Sequence, residues 1–241
     1  MTVAARTAAG SLIENLAPWL GPPLALLFVL CVPLCLIGNN VRWVALSPDT
    51  YREGFARYRA AERTGLDPDQ LSGVARAFID YFQAPPGRLN PTVTIGGGRR
   101  PLFNEREVAH MEDVQKLMRL VFRLGVLSAL YAVVFAAGLL AWQHAAGLAA
   151  LGRLMLWGAA LSLALLLLVG ALSFVDFGEL FVRFHQLSFR NDLWMLDPSR
   201  DYLVILFPEG FWLDVTVRIA ALTAAESLAL GALGFLLVTR R

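Results

Sequence analysis

"LVFRLGVLSALYAVVFAAGLLAWQHAAGLAALGRLMLWGAALSLALLLLVGALSFV", residues 120–175, is two hydrocarbon runs joined by a short link. Residues 120–142 and 154–175 are each long enough to cross a bilayer core, which takes about 20 apolar residues at about 1.5 Å per residue. Backbone polar groups cannot stay unpaired in lipid, so each run must be a helix. A link this short forces the chain to reverse, which makes a hairpin of two membrane-spanning helices.

Two further runs, 16–37 and 219–239, have the same character, and 57% hydrophobic with only 17% charged residues is far from what a soluble domain needs. The sequence therefore predicts a mainly α integral membrane protein with four transmembrane helices and a small extracellular cap, helical with a few short strands. The expected division is a tail 1–15, helix 16–38, cap segment 39–118, helix 119–142, link 143–153, helix 154–175, cap segment 176–214 and helix 215–239. The first run reads as a retained span rather than a signal peptide: Arg6 is the single basic residue of its N-terminal flank, and no small-x-small site precedes Asn39. Cys31 and Cys35 follow leucines, which excludes a lipobox, and they read as packing residues.

An even number of spans returns both termini to one side and both long segments to the other. The positive-inside rule holds for short loops, and the first long segment exceeds its limit of about 60 residues. The short elements and the Arg240-Arg241 end therefore orient the chain, with both termini cytoplasmic and the cap outside. A net charge of +2 without a basic cluster argues against nucleic acid; membrane lipid is the expected environment, and the oligomeric state is not legible.

Within the cap, Asp67-Pro68-Asp69-Gln70 is a capping box, followed at helical spacing by Leu71, Val74, Ala75, Phe78, Ile79 and Phe82. A second box, Asn104 to Glu107, opens a helix with no breaker before Trp142. Between them, 92–95 reads as a short extended piece, with 203–207 as a candidate partner.

His144 falls in the short link and reads as a solvated residue. His110 and His185 lie about 38 residues before and 37 after a turn centred near 148, so two continuous helices hold them at one height, beyond the apolar runs. Asp113 shares the face of His110 and is placed to accept from its ring. Around His185 stand Phe181, Phe184, Phe189 and Trp194, with Asn191 and Asp192 ending the helix. One reading is two interfacial histidines in an aromatic belt; another is a metal held with Asp113, which lacks a spaced third ligand. The third is general acid and base catalysis by paired imidazoles, since no HExxH or GxSxG motif offers a different chemistry. No cofactor is expected.

The segments "LFNEREVAHMEDV" (102–114) and "FHQLSFRNDLWMLDPSRDYLVILFPEGFWLD" (184–214) resemble the two signature blocks of the bacterial lipoprotein intramolecular transacylase family. The resemblance implies an enzyme of the bacterial cytoplasmic membrane whose substrate is a lipoprotein with a diacylglyceryl-modified N-terminal cysteine. It implies transfer of the sn-2 acyl chain onto the cysteine's own α-amino group, giving a lyso-form lipoprotein, with the two family histidines at His110 and His185. Asn191 and Trp194 are candidate donors to the oxyanion. Two other readings are a non-enzymatic assembly or lipid-binding protein, and a small transporter using Glu226 in the fourth span.

Overall fold

The computed structural model describes residues 3–240, and the side chains of 21–143 and 146–240. The elements run α1 (Val3–Leu46), α2 (Pro48–Arg57), α3 (Ala60–Thr64), α4 (Pro68–Gln83), β1 (Thr92–Ile95), β2 (Gly98–Pro101), α5 (Glu105–Ser188), α6 (Tyr202–Leu206) and α7 (Glu209–Thr239). Four helical stretches are long and apolar enough to cross a membrane: Gly21–Leu46, Glu105–Gln143, Ala146–Ser188 and Glu209–Thr239. The middle two are the limbs of α5, which folds back on itself between them. At the reversal, a Cβ on Gly147 would stand 3.0 Å from the Leu139 carbonyl oxygen. The side chain of His144, expected in a solvated link, lies outside the described residues.

The chain divides into two compact units. The first comprises Met1–Leu36, Gly125–Leu165 and Ala224–Arg241. Its buried centre is Phe28, Val32, Leu151 and Met155, and Tyr131 Oη donates to the Leu24 carbonyl at 2.7 Å. Glycines let its helices touch backbone to backbone. A Cβ on Gly152 would lie 2.6 Å from the Gly234 carbonyl oxygen, and one on Gly158 would lie 2.6 Å from Val32 Cγ2. Helices in lipid associate through such close packing because no hydrophobic drive holds them together there.

The second unit comprises Ile37–Leu124 and Leu166–Thr223. It gathers both long polar segments around one aromatic core that includes Tyr51, Phe55, Phe78, Phe103, Phe207 and Phe211; Phe78 and Phe207 meet edge to face at 4.9 Å. The α4 box forms as its sequence predicts: Gln70 N donates to Asp67 Oδ1 at 2.8 Å, and the buried face carries Leu71, Val74, Ala75, Phe78 and Phe82. At the start of α5, Glu107 N donates to Asn104 Oδ1 and Asn104 N to Glu107 Oε2.

The strand partner differs from the expectation. β1 pairs antiparallel with β2, Thr92 opposite Pro101, because Gly96 and Gly97 take positive φ values of 63° and 81° and close a tight hairpin. Residues 203–206 are helical instead. The Glu107 carboxylate accepts from Leu203 N at 2.7 Å, and Asn104 Nδ2 donates to Asp201 Oδ1 at 2.9 Å. These bonds fasten α6 to the first turn of α5.

Candidate functional site

His110 sits on the second turn of α5 and His185 on its last. Both lie outside the apolar runs, in the second unit. Their rings are buried, with centroids 6.0 Å apart. The fold supplies this meeting by running the two limbs antiparallel, so residues 75 positions apart in the chain become neighbours.

The His185 ring has a defined tautomer. Its Nδ1 lies 2.7 Å from the Phe181 carbonyl, one helical turn back, and a carbonyl can only accept. The proton is therefore on Nδ1, which leaves Nε2 with its lone pair. His110 Nδ1 is buried without a hydrogen-bond partner among the described residues. Burial pushes His110 down to about 4, helped by the neighbouring His185 and opposed by Asp113. Burial also lowers His185, opposed by the bond to Phe181. Both imidazoles are thus neutral at neutral pH.

Aromatic side chains account for the burial. Against His185 lie Phe181 at 4.2 Å, Phe184 at 5.3 Å, Phe189 at 5.6 Å and Trp194 at 5.2 Å between centroids. Phe189, the residue capping the end of α5, also stands edge-on to His110 at 5.2 Å. All four aromatics named from the sequence are therefore at the pair.

The polar residues are arranged differently. Asp113 does not accept from His110: its carboxylate takes Lys116 Nζ at 2.8 Å and Asn191 Nδ2 at 2.8 Å. Those bonds, Lys116's first, hold its carboxyl below the usual range. Asn191 Oδ1 in turn accepts from Leu193 N at 3.1 Å, so its carboxamide ties the loop after α5 to the other limb instead of facing the rings. Asp192 contributes its backbone carbonyl, which accepts from Arg106 Nη2 and from Met195 N. The loop that presents Phe189 and Trp194 is pinned from below by these bonds.

The histidines open into a cavity of about 480 Å³, within the range of ligand pockets. Its walls include Val169, Phe177 and Leu180 from α5, Phe207 just past the end of α6 and Trp212 from α7. Thr50 and Tyr51 of α2 also line it. Of these seven, sequence reasoning marked only Phe207, as the end of a candidate strand and not as a cavity residue. Phe207 and Trp212 lie within the second block of resemblance, but nothing local marks Thr50 or Tyr51. Among the described residues no cluster of three or more His, Cys, Asp or Glu could hold a metal ion. Chemically, the site offers two neutral imidazoles in the wall of a largely apolar chamber.

Comparison with known proteins places this arrangement. A family model described as lipoprotein intramolecular transacylase Lit matches residues 26–212. A relative from Aquifex aeolicus, described only as an uncharacterized protein, is 26% identical over 203 residues, covering 83% of this chain and 88% of the relative. The in meso structure of the membrane integral lipoprotein intramolecular transacylase Lit from Bacillus cereus superposes with a TM-score of 0.72 at 17% identity, over 92% of this chain and 98% of that one. A second structure of that protein, carrying a histidine-to-alanine mutation, gives a TM-score of 0.71 at 17% identity over 94% and 97% of the two chains. At these identities the solved structures establish the shared fold.

Proposed function

The chain belongs to the lipoprotein intramolecular transacylase family, and we propose that it moves the sn-2 acyl chain of a diacylglyceryl-modified N-terminal cysteine onto that cysteine's α-amino group. The observation that carries this reading is the pair of neutral, buried imidazoles 6.0 Å apart at an apolar cavity. Amine and ester belong to one substrate molecule, so catalysis is largely a matter of folding them together, and an aromatic chamber at the membrane boundary does that.

In the proposed step the amine nitrogen attacks the ester carbonyl carbon, and the tetrahedral intermediate collapses with loss of the sn-2 alkoxide. An N–C bond forms and a C–O bond breaks. The nucleophile is the neutral amine, formed once the ammonium, with an ordinary pKa near 8, has lost a proton to solvent; on attack its nitrogen must shed a second proton, and the alkoxide must gain one. Because neither ring holds a spare proton at neutral pH, the proton removed from the amine is the one delivered to the alkoxide. His185, with Nε2 unprotonated, is the better placed acceptor, and His110 completes the passage. Phe181, Phe184, Phe189 and Trp194 wall the reacting groups, and Asp113, Asn191 and Asp192 hold that wall in place. The products are an N-acylated cysteine and a free glyceryl hydroxyl on one lyso-form lipoprotein.

The topology belongs to the same proposal: cap segments 39–118 and 176–214 outside the cytoplasmic membrane, both termini inside. Single cysteines at 69 and 199 should react with an impermeant maleimide in intact cells, and reaction only after permeabilisation would reverse the orientation. The function is tested by mass spectrometry of a lipoprotein N-terminus from cells with and without this protein. The expected gain is a monoacylglyceryl, N-acylated cysteine of unchanged total mass; an unchanged diacylglyceryl cysteine with a free amine would overturn the reading.

A further inference from the structure

Several hydrogen-bonding side chains in the cavity wall are already engaged. Tyr51 Oη donates to the Ala45 carbonyl at 2.8 Å, and Trp212 Nε1 donates to the Phe207 carbonyl at 3.1 Å. Thr50 is not: it is 7% exposed, and its Oγ1, like His110 Nδ1, is buried with no hydrogen-bond partner among the described residues. An unsatisfied buried hydroxyl is costly and rare, and one in a cavity wall points to a ligand that satisfies it.

Thr50 also faces elsewhere. A second groove of about 310 Å³, lined by Glu53, Arg57, Asp214 and Arg218, shares Thr50 and Phe211 with the histidine cavity. Phe211 is a fixed partition, packed so closely on α2 that a Cβ at Gly54 would fall 2.4 Å from its ring. An apolar chamber and a groove carrying four charged side chains thus adjoin, with Thr50, Phe211 and Val215 at the junction.

The groove's charges cancel in pairs. Arg57 Nη1 lies 2.9 Å from Asp214 Oδ2, and Arg218 Nη1 lies 3.4 Å from Glu53 Oε2. A phosphate would meet a carboxylate beside each guanidinium, which offsets the attraction. A polypeptide backbone is neutral and carries both donors and acceptors, so its N–H groups can use free carboxylate lone pairs and its carbonyls the unused guanidinium N–H groups along the same wall.

Resting on the acyl-transfer reading above, we infer that this groove takes the polypeptide that follows the modified cysteine, and that the Thr50 hydroxyl holds one of its backbone groups where it leaves the cavity. The substrate is an amphiphile, and the two adjoining spaces match its two halves. Thr50 is a positioning residue in this arrangement, and the four charged side chains form the peptide subsite.

The test uses the full chain in lipid nanodiscs and two synthetic substrates. One is S-diacylglyceryl-cysteine amide; the other carries the same group on a neutral peptide of about ten residues, about 35 Å when extended. For Thr50→Val, the ratio of kcat/KM for the long over the short substrate should fall about five- to tenfold, the effect of one lost hydrogen bond. Thr50→Ser should restore it. The double variant Glu53→Gln, Arg218→Gln, on the exposed rim, should lower the same ratio even if Thr50→Val fails to fold. A ratio unchanged in the rim variant overturns the inference, as does an equal loss on both substrates, which would assign the groove to a lipid headgroup or to the acyl part. If wild-type protein converts neither substrate, the acyl-transfer reading itself fails, and this inference fails with it.

Discussion

His110 should remain uncharged well into acid. Its ring is 5% exposed, Phe189 covers it edge-on at 5.2 Å, and burial brings its pKa to about 4. At pH 5.5 a ring with that pKa is about 97% neutral, whereas an imidazole at the ordinary value of about 6.5 is about 9% neutral. The measurement is an NMR titration of histidine-labelled protein in detergent micelles, with His110→Asn supplying the assignment. Phe189→Ala should move the midpoint toward 6.5, because water then reaches both rings. The lowered pKa also sets a direction for stability. Above pH 6.5 its contribution is complete; between 6.5 and the folded value the unfolded chain takes up the proton preferentially, and stability falls by at most about 1.4 kcal/mol per pH unit. Folding must therefore be monitored across the same range. A His110 midpoint at or above 6.5 in folded wild-type protein would refute the claim that burial controls this ring, and with it the neutral proton path.

His110→Asn and His185→Asn should each lower acyl transfer by about 10² to 10⁴ while the protein still inserts and folds, read as lyso-form product per folded protein; near-wild-type rates in both would remove the imidazoles from the chemistry. Asn191→Ala cuts the bonds to Asp113 and Leu193 N, so the loop bearing Trp194 should loosen; about a tenfold loss of activity is expected, with a melting temperature only a few degrees lower. Gly152→Val places a Cβ 2.6 Å from the Gly234 carbonyl oxygen, and the forced separation should destabilise the first unit by about 1–3 kcal/mol in a thermal melt, leaving the histidine pKa values where they are.

What the sequence made legible was local. Apolar runs of bilayer length gave the spanning helices, and two capping boxes at Asp67 and Asn104 placed helix starts that the structure reproduces. The height of His110 and His185 followed from counting along two continuous limbs. The remaining features depend on partners far along the chain. Residues 203–206 have β-branched and leucine character, yet a carboxylate at Glu107 and a carboxamide at Asn104 draw them into a helix. β1 found its partner just across a two-residue turn, because two glycines could take positive φ, and not in a distant hydrophobic stretch. Asp113 was drawn from His110 by Lys116, one turn away, and by Asn191 on the far limb. Spacing on one helix face identifies candidates for a hydrogen bond, but it does not rank them against an amide that arrives from another segment.

The engaged hydrogen-bonding groups of the cavity wall also bear on what the acyl group can become. A water molecule settles where it finds two to four polar partners, and here the Tyr51 and Trp212 donors are directed to backbone carbonyls while phenylalanines surround the imidazoles. For an acyl transfer carried out in this chamber, hydrolysis competes at the same carbonyl carbon, and a basic imidazole would activate water as readily as an amine. Under the proposed acyl transfer, the aromatic lining around the imidazoles disfavours bound water at the reacting carbonyl and so favours the amide over a released fatty acid.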